Sequence, residues 1–382
     1  MPAGVWALGF VSMFMDISSE LIHSLLPLFM STVLGASMMT IGMVEGVAEA
    51  TASVAKVFSG TISDHFGKRK IIAVLGYSLA AVTKPVFPLA TSMGWVFAAR
   101  FVDRIGKGIR GAPRDALVAD ITPRGMRGAG YGIRQSLDSV GAFLGPLLAV
   151  AFMAWFENDI RTVLWVAVLP AFFAVALLVL GVHEPERAED PSFVRNHLTT
   201  IDIKRLPLRY WLIVLLSLTF TLARFSEAFL VLRAQDVGLA IGYVPMVMIV
   251  MNIAYAATAY PAGIAADRFS PRLLLISGLA LLVAADVVLA ASASPSSVLE
   301  GAALWGVHMG LTQGLFAKLV ADVAPAELRG TAFGIFNLAG GGALLLASVI
   351  AGAMWSALGA PATFLTGATF AMLAVIGLLV CR

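Results

Sequence analysis

Val118–Ile133, VADITPRGMRGAGYGI, returns further down the chain as Val320–Ile335, VADVAPAELRGTAFGI. Two more pairs recur at nearly the same offset. GTISDHFGKR at 60–69 is matched by GIAADRFSPR at 263–272, and SSE at 18–20 by FSE at 225–227. Such spacing marks one unit duplicated in tandem, a parallel internal repeat. Parallel repeats of helical groups are a known construction of membrane transporters.

The residues around these repeats are apolar. The 382 residues are 59% hydrophobic, and 13% are Asp, Glu, Lys or Arg, against about 25% in soluble domains. Twelve apolar segments can be marked, near 5–34, 40–62, 71–91, 95–119, 129–154, 161–182, 210–233, 243–265, 272–292, 298–320, 330–355 and 360–380. Most have the length that about 30 Å of hydrocarbon requires of a helix. Lipid offers no partner to an open backbone, and the runs lack the alternation of a β-barrel, so the reading is all-α. One connector, Val182 to Arg209, is long, polar and broken by proline. It divides the chain into a six-helix bundle over 1–181, a linker over 182–209 and a second six-helix bundle over 210–382.

Loop charge sets the orientation. Lys68, Arg69, Lys70, Arg124, Arg127, Lys204, Arg205, Arg209, Arg268, Arg272 and Arg329 all fall in the connectors after even-numbered spans. The opposite loops hold almost no Lys or Arg, so both termini are expected in the cytoplasm, with the chain in a bacterial-type inner or plasma membrane. MPAGVWALGF has no basic n-region, so no signal peptide is expected. The single cysteine, Cys381, excludes an internal disulfide and any cysteine-based metal cluster.

These residues resemble the major facilitator superfamily. Gly60, Asp64, Gly67, Lys68, Arg69 and Lys70 match its signature between spans 2 and 3, with a degenerate copy at Gly263, Asp267 and Arg272. Gly132, Gly141, Gly145 and Pro146 match its fifth-span antiporter pattern, except that Leu147 to Ala149 replace the paired glycines that often follow. The resemblance implies twelve helices in two pseudo-symmetric halves, alternating access, and a cavity lined by spans 1, 4, 7 and 10. It implies that Gly60, Asp64, Lys68, Arg69, Asp120 and Arg127 form a cytoplasmic conformational lock. It also implies export by antiport. Gly141 and Gly145, at i and i+4, suit close helix packing.

A charge at bilayer depth is costly unless it is paired or faces water, so each one is a functional candidate. Asp16, Glu20 and His23 share one face of span 1; Glu45 and Glu49 share one of span 2. Acids at one level beside a histidine suit proton coupling, or a cation site in which Asp16, Glu20 and His23 hold a divalent metal. The alternative is static pairing with span 4. There Arg100, Arg104, Lys107, Arg110 and Arg114 form one stripe within RFVDRIGKGIRGAPRD, with Asp103 set to pair Lys107 at i+4. The second half has no equivalent stripe. These basic residues suit anion recognition or serve as counter-ions to the acids. Arg134 and Asp138 read as an intrahelical pair, and Lys84 as the partner of a span 2 acid. Arg104, Lys107, Arg110, Arg134, Asp138, Glu227, His308 and Gln313 are the candidate cavity residues. Met246, Met248, Met251, Trp305, Met309 and Phe316 offer an apolar wall.

The resulting expectation is a monomeric secondary transporter, not an enzyme, with the bilayer and a small solute or ion as partners and no nucleic acid. No cofactor is expected, and the proton is the expected coupling ion. No G-x-x-x-x-G-K-[ST] stretch is present for ATP. Three substrate classes compete: an amphipathic compound exported against protons, an anionic metabolite, and a divalent metal or its chelate.

Overall fold

A computed structural model describes residues 1–66, 68–184, 205–312, 315–325 and 328–380. The described residues form helices and connecting turns, with no strand among them. Span 1 is Ala3–Val33, span 2 Met38–Phe66, span 3 Arg69–Leu89, span 4 Met93–Ile121, span 5 Arg127–Trp155 and span 6 Ile160–Gly181. In the second half, span 7 is Leu208–Asp236, span 8 Met246–Arg268, span 9 Pro271–Ala291, span 11 Arg329–Leu358 and span 12 Ala360–Val380. Span 10 comprises Pro295–Thr312 and Leu315–Val323. Among the described residues, nine stretches are long and apolar enough to cross a membrane. Spans 2 and 4 are 29 residues each, but their charges hold them out of that class. The expected linker falls mostly in 185–204, outside the described residues.

Each half packs its own helices: span 1 on span 5, span 3 on span 4 and span 2 on span 4; then span 8 on span 10 and span 9 on span 12. The halves meet mainly where span 2 runs along span 11. Small residues permit this. A Cβ on Gly42 would lie 2.3 Å from the Ser348 carbonyl oxygen, and one on Gly352 would lie 2.6 Å from that of Met38. Spans 5 and 8 meet too, and Asn252 Nδ2 donates to the Ala142 carbonyl at 3.2 Å.

On the side away from the termini the halves are joined. Ser31 Oγ lies 3.5 Å from Gln235 Oε1, and Asn158 packs on Gly242. On the terminal side, span 5 exposes Gln135, Ser136 and Ser139, and Lys56 and Lys107 are also exposed. Such polar groups face water, not lipid. The gap between the halves therefore opens on the terminal side.

Span 7 differs from its repeat partner, span 1. Span 1 stays helical through Ser18–Glu20, whereas span 7 ends one helix at Ala223 and starts the next at Ala228. Ser226 meets the backbone need created there: its N–H donates to Ser348 Oγ at 3.2 Å, and its own Oγ accepts from the Ala228 N–H at 3.3 Å. The break sets Arg224 to Glu227 against the central cavity.

Candidate functional site

Between the halves lies a cavity of about 340 Å³. Its first-half wall is Glu20, His23, Glu49, Arg104 and Lys107, and its second-half wall includes Phe220, Thr221, Arg224, Phe225 and Glu227. Glu20 and Glu227, equivalent in the repeat, thus share one cavity.

Spans 2 and 4 run side by side, and each step of acid on span 2 meets a step of base on span 4. Arg100 Nη2 donates to Glu45 Oε2 at 2.7 Å, in a pair whose side chains are 2% and 0% exposed. Arg104 Nη1 lies 3.2 Å from Glu49 Oε1. His23 bridges from span 1, with Nδ1 3.4 Å from Glu20 Oε2 and Nε2 4.0 Å from Glu45 Oε2. Glu20, His23, Glu45 and Arg100 form one chain of contacts across three helices, and Arg104 with Glu49 forms a separate pair between spans 2 and 4. Such pairs offset the cost of charge at this depth, and removing one partner exposes it.

Two expected pairings are corrected. Lys84 Nζ donates to Asp103 Oδ1 at 2.8 Å and to Ser19 Oγ at 3.1 Å, so its acid comes from span 4, not span 2. Asp103 is consequently not paired with Lys107, which makes no hydrogen bond or ion pair to a described residue.

Not every expected cavity residue reaches the cavity. Arg110 is buried with its guanidinium 4.7 Å from the centre of the Tyr77 ring. Arg134 Nη1 donates to Asp138 Oδ2 at 2.6 Å, the intrahelical pair expected. These two sit one layer nearer the termini, with Arg114 and Asp115. His308 is fully buried, its Nδ1 2.7 Å from the Gly278 carbonyl oxygen and its ring stacked on Phe220. Gln313 lies outside the described residues. Met248, Met251, Trp305, Met309 and Phe316 pack in the core; Phe220 and Phe225 supply the aromatic surface of the cavity instead.

Asp16 lies one turn below Glu20. Among the described residues it makes no hydrogen bond or ion pair, though Asp138, Arg110, Arg114 and Lys107 are within electrostatic reach. No group of three His, Cys, Asp or Glu side chains among the described residues is placed to hold a metal. Glu20 and His23 do touch, but Asp16 does not join them, which corrects the expected metal set.

The fifth-span glycines bear directly on these acids. A Cβ on Gly141 would lie 2.6 Å from the Met13 carbonyl oxygen and 3.0 Å from Asp16 Cβ. One on Gly145 would lie 2.7 Å from Glu20 Cβ and 2.9 Å from the Leu21 amide. Pro146 follows inside the same helix, and Gly132 faces open space. Helix contact that close is available only without a side chain.

At the terminal face, Arg69 Nη1 donates to Asp120 Oδ2 at 2.5 Å and to the Ala116 carbonyl oxygen at 3.3 Å. Arg127 Nε donates to the Ala119 carbonyl oxygen at 3.1 Å. Glu184, which the sequence did not single out, accepts from the Arg69 and Lys70 amides at 2.7 and 3.1 Å and caps span 3. Lys68 is exposed. The side chains of residues 60–66, Asp64 among them, and Gly67 lie outside the described residues.

A second residue escaped sequence reading. Asp286 of span 9 is 0% exposed, and neither carboxylate oxygen has a hydrogen-bond partner among the described residues. Its Oδ2 sits beside Gly367 and the Phe225 ring. A lone acid inside the apolar run LLLISGLALLVAADVVLAA was the available signal.

The family model of the Major Facilitator Superfamily matches residues 8–251 and 225–382. An uncharacterized MFS-type transporter of Methanocaldococcus jannaschii is 33% identical over 97% of this chain and 92% of its own. A quinolone resistance protein, NorA, of Staphylococcus aureus is 24% identical over 57% of this chain and 55% of its own. Among solved structures, a nucleoside transporter, NupG, superposes with a TM-score of 0.85 at 12% identity, covering 98% of both chains. That last likeness concerns the fold.

Proposed function

The chain belongs to the major facilitator superfamily of membrane transporters, and from that premise we propose that it is a proton-coupled exporter working by alternating access. The proton is carried on span 1, by Asp16 and by Glu20 with His23. The termini lie in the cytoplasm, as the loop charges favour.

One observation carries this reading: the two packing glycines of the antiporter pattern, Gly141 and Gly145, are seated on Asp16 and Glu20. A change of charge on either acid alters how it sits against span 5, and span 5 touches the other half through Asn252. Proton binding and the rocking of one half against the other then share one set of contacts. The distant likeness to a quinolone resistance protein agrees with export.

The test uses everted membrane vesicles, made acidic inside and followed with a pH-sensitive dye. A transported solute added outside should release protons from the lumen through the wild-type chain. Asp16→Asn and Glu20→Gln should abolish that release while the proteins remain folded. Release unchanged in both variants refutes the assignment.

A further inference from the structure

We infer that Asp286 is a proton-binding site of the second half, and that loss of its proton pairs it with Trp305 and moves the Phe225 wall of the cavity. This goes beyond the transport reading, which places the proton on span 1.

Asp286 lies where span 7 is broken. A Cβ on Gly367 of span 12 would lie 2.7 Å from Asp286 Oδ2, 2.9 Å from Phe225 Cε1 and 3.2 Å from the Ala223 carbonyl oxygen. The carboxyl, the Phe225 ring and the end of the first span 7 helix therefore crowd one point. Trp305 of span 10 is also fully buried. Its ring centre lies 5.4 Å from that of Phe225, and its Nε1 has no hydrogen-bond partner among the described residues. An idle acceptor and an idle donor thus adjoin one ring, and Phe225 itself lines the cavity.

The first half holds the same arrangement in closed form. By the offset of the repeats, Trp305 corresponds to Asp103, and Asp286 stands one residue before the position that corresponds to Lys84. Lys84 and Asp103 meet at 2.8 Å. Lys84 also reaches Ser19, in the stretch of span 1 that matches the span 7 break. A buried polar pair joins spans 3 and 4 there, whereas the equivalent pair between spans 9 and 10 stands open.

The charged groups around Asp286 are engaged elsewhere. On span 7, Arg224 faces Glu227, and Arg233 donates to Asp236 and to the Leu289, Ala290 and Ser292 carbonyl oxygens. On span 10, His308 Nδ1 meets the Gly278 carbonyl oxygen and Glu300 is exposed. On span 9 itself, Arg272 donates to the Leu379 carbonyl oxygen. Span 12 carries no titratable side chain. None of these groups forms a hydrogen bond or ion pair with Asp286. A carboxyl buried without a cation or a donor is carried as the neutral acid. When its O–H bond breaks, the proton passes to water and the carboxylate keeps the electron pair. The anion then requires a donor. The Trp305 N–H supplies it, and Phe225 withdraws to admit the pair. A costly group kept at a broken helix beside the cavity fits a working position.

Infrared difference spectra of the purified full-length protein, taken across a pH series, test this. A C=O band of a protonated carboxyl group should be present in the wild type and in Asp16→Asn, and should be lost as pH rises. The same band should be missing from Asp286→Asn, which keeps the side-chain volume, and from Asp286→Leu. Tryptophan emission should shift over the same pH range, and that shift should be lost in Asp286→Asn and in Trp305→Phe. Spectra unchanged in both Asp286 variants overturn the proton site, as does a band that no pH removes. An emission shift that survives either substitution overturns the pairing with Trp305. These readouts need no proton flux. Unchanged vesicle proton release in Asp16→Asn and Glu20→Gln therefore refutes the span 1 assignment and leaves this inference standing.

Discussion

Replacing Gly145 by alanine probes the contact on which the coupling reading depends. The new Cβ would sit 2.7 Å from Glu20 Cβ, 2.9 Å from the Leu21 amide and 3.0 Å from the Ile17 carbonyl oxygen. Ordinary contacts between carbon atoms are about 3.5–4.0 Å, so spans 1 and 5 must part by about 1 Å. Two of the three obstructing atoms are backbone and cannot rotate away. Overpacking of this kind costs about 1–3 kcal/mol, and it shifts span 1, with Glu20 and His23, relative to Glu45 of span 2, which His23 meets at 4.0 Å. Misplacement of a working group by about 1 Å can cost about a hundredfold in rate. Gly132→Ala is the matched control. Nothing lies within 4 Å of its Cβ, and alanine favours a helix by up to about 1 kcal/mol over glycine. Thermal unfolding of the purified variants, with vesicle proton release as the second readout, should show Gly145→Ala less stable and slow, and Gly132→Ala unimpaired. Equal behaviour of the two variants would refute the claim that span 1 and span 5 are coupled through this glycine.

Arg100→Met should destabilise the protein by about 3–5 kcal/mol, because it strands Glu45 as a buried charge. Adding Glu45→Leu should recover most of that loss in thermal unfolding; no recovery would show that the pair is not the cause. Asp286→Leu should raise the melting temperature, since it replaces a fully buried acid without hydrogen-bond partners among the described residues by apolar volume; a large fall would mean that the acid holds a structural contact. Arg104→Ala should impair vesicle transport more than Arg224→Ala. Arg104 is 4% exposed and 3.2 Å from its acid, whereas Arg224 is 29% exposed and 3.9 Å from Glu227. The reverse order would remove the case for unequal use of charge in the two halves.

The sequence alone was sufficient for the duplication, the helical class and the faces of individual helices. VADITPRGMRGAGYGI and its copy are contiguous matches, and apolar length is a one-dimensional quantity. The step of the arginines along span 4 was likewise legible, because a helix repeats every 3.6 residues whatever surrounds it. Partner choice was decided by tertiary structure. Periodicity tells which residues share a face but not how that face is rotated toward its neighbours. Lys84 thus chose Asp103 over the span 2 acids, Arg110 turned onto Tyr77, and His308 faced the core and not the cavity. The same limit hid the seating of Gly141 and Gly145 on Asp16 and Glu20. Each depends on helices far apart in the chain coming within a few ångströms, and only packing sets that distance.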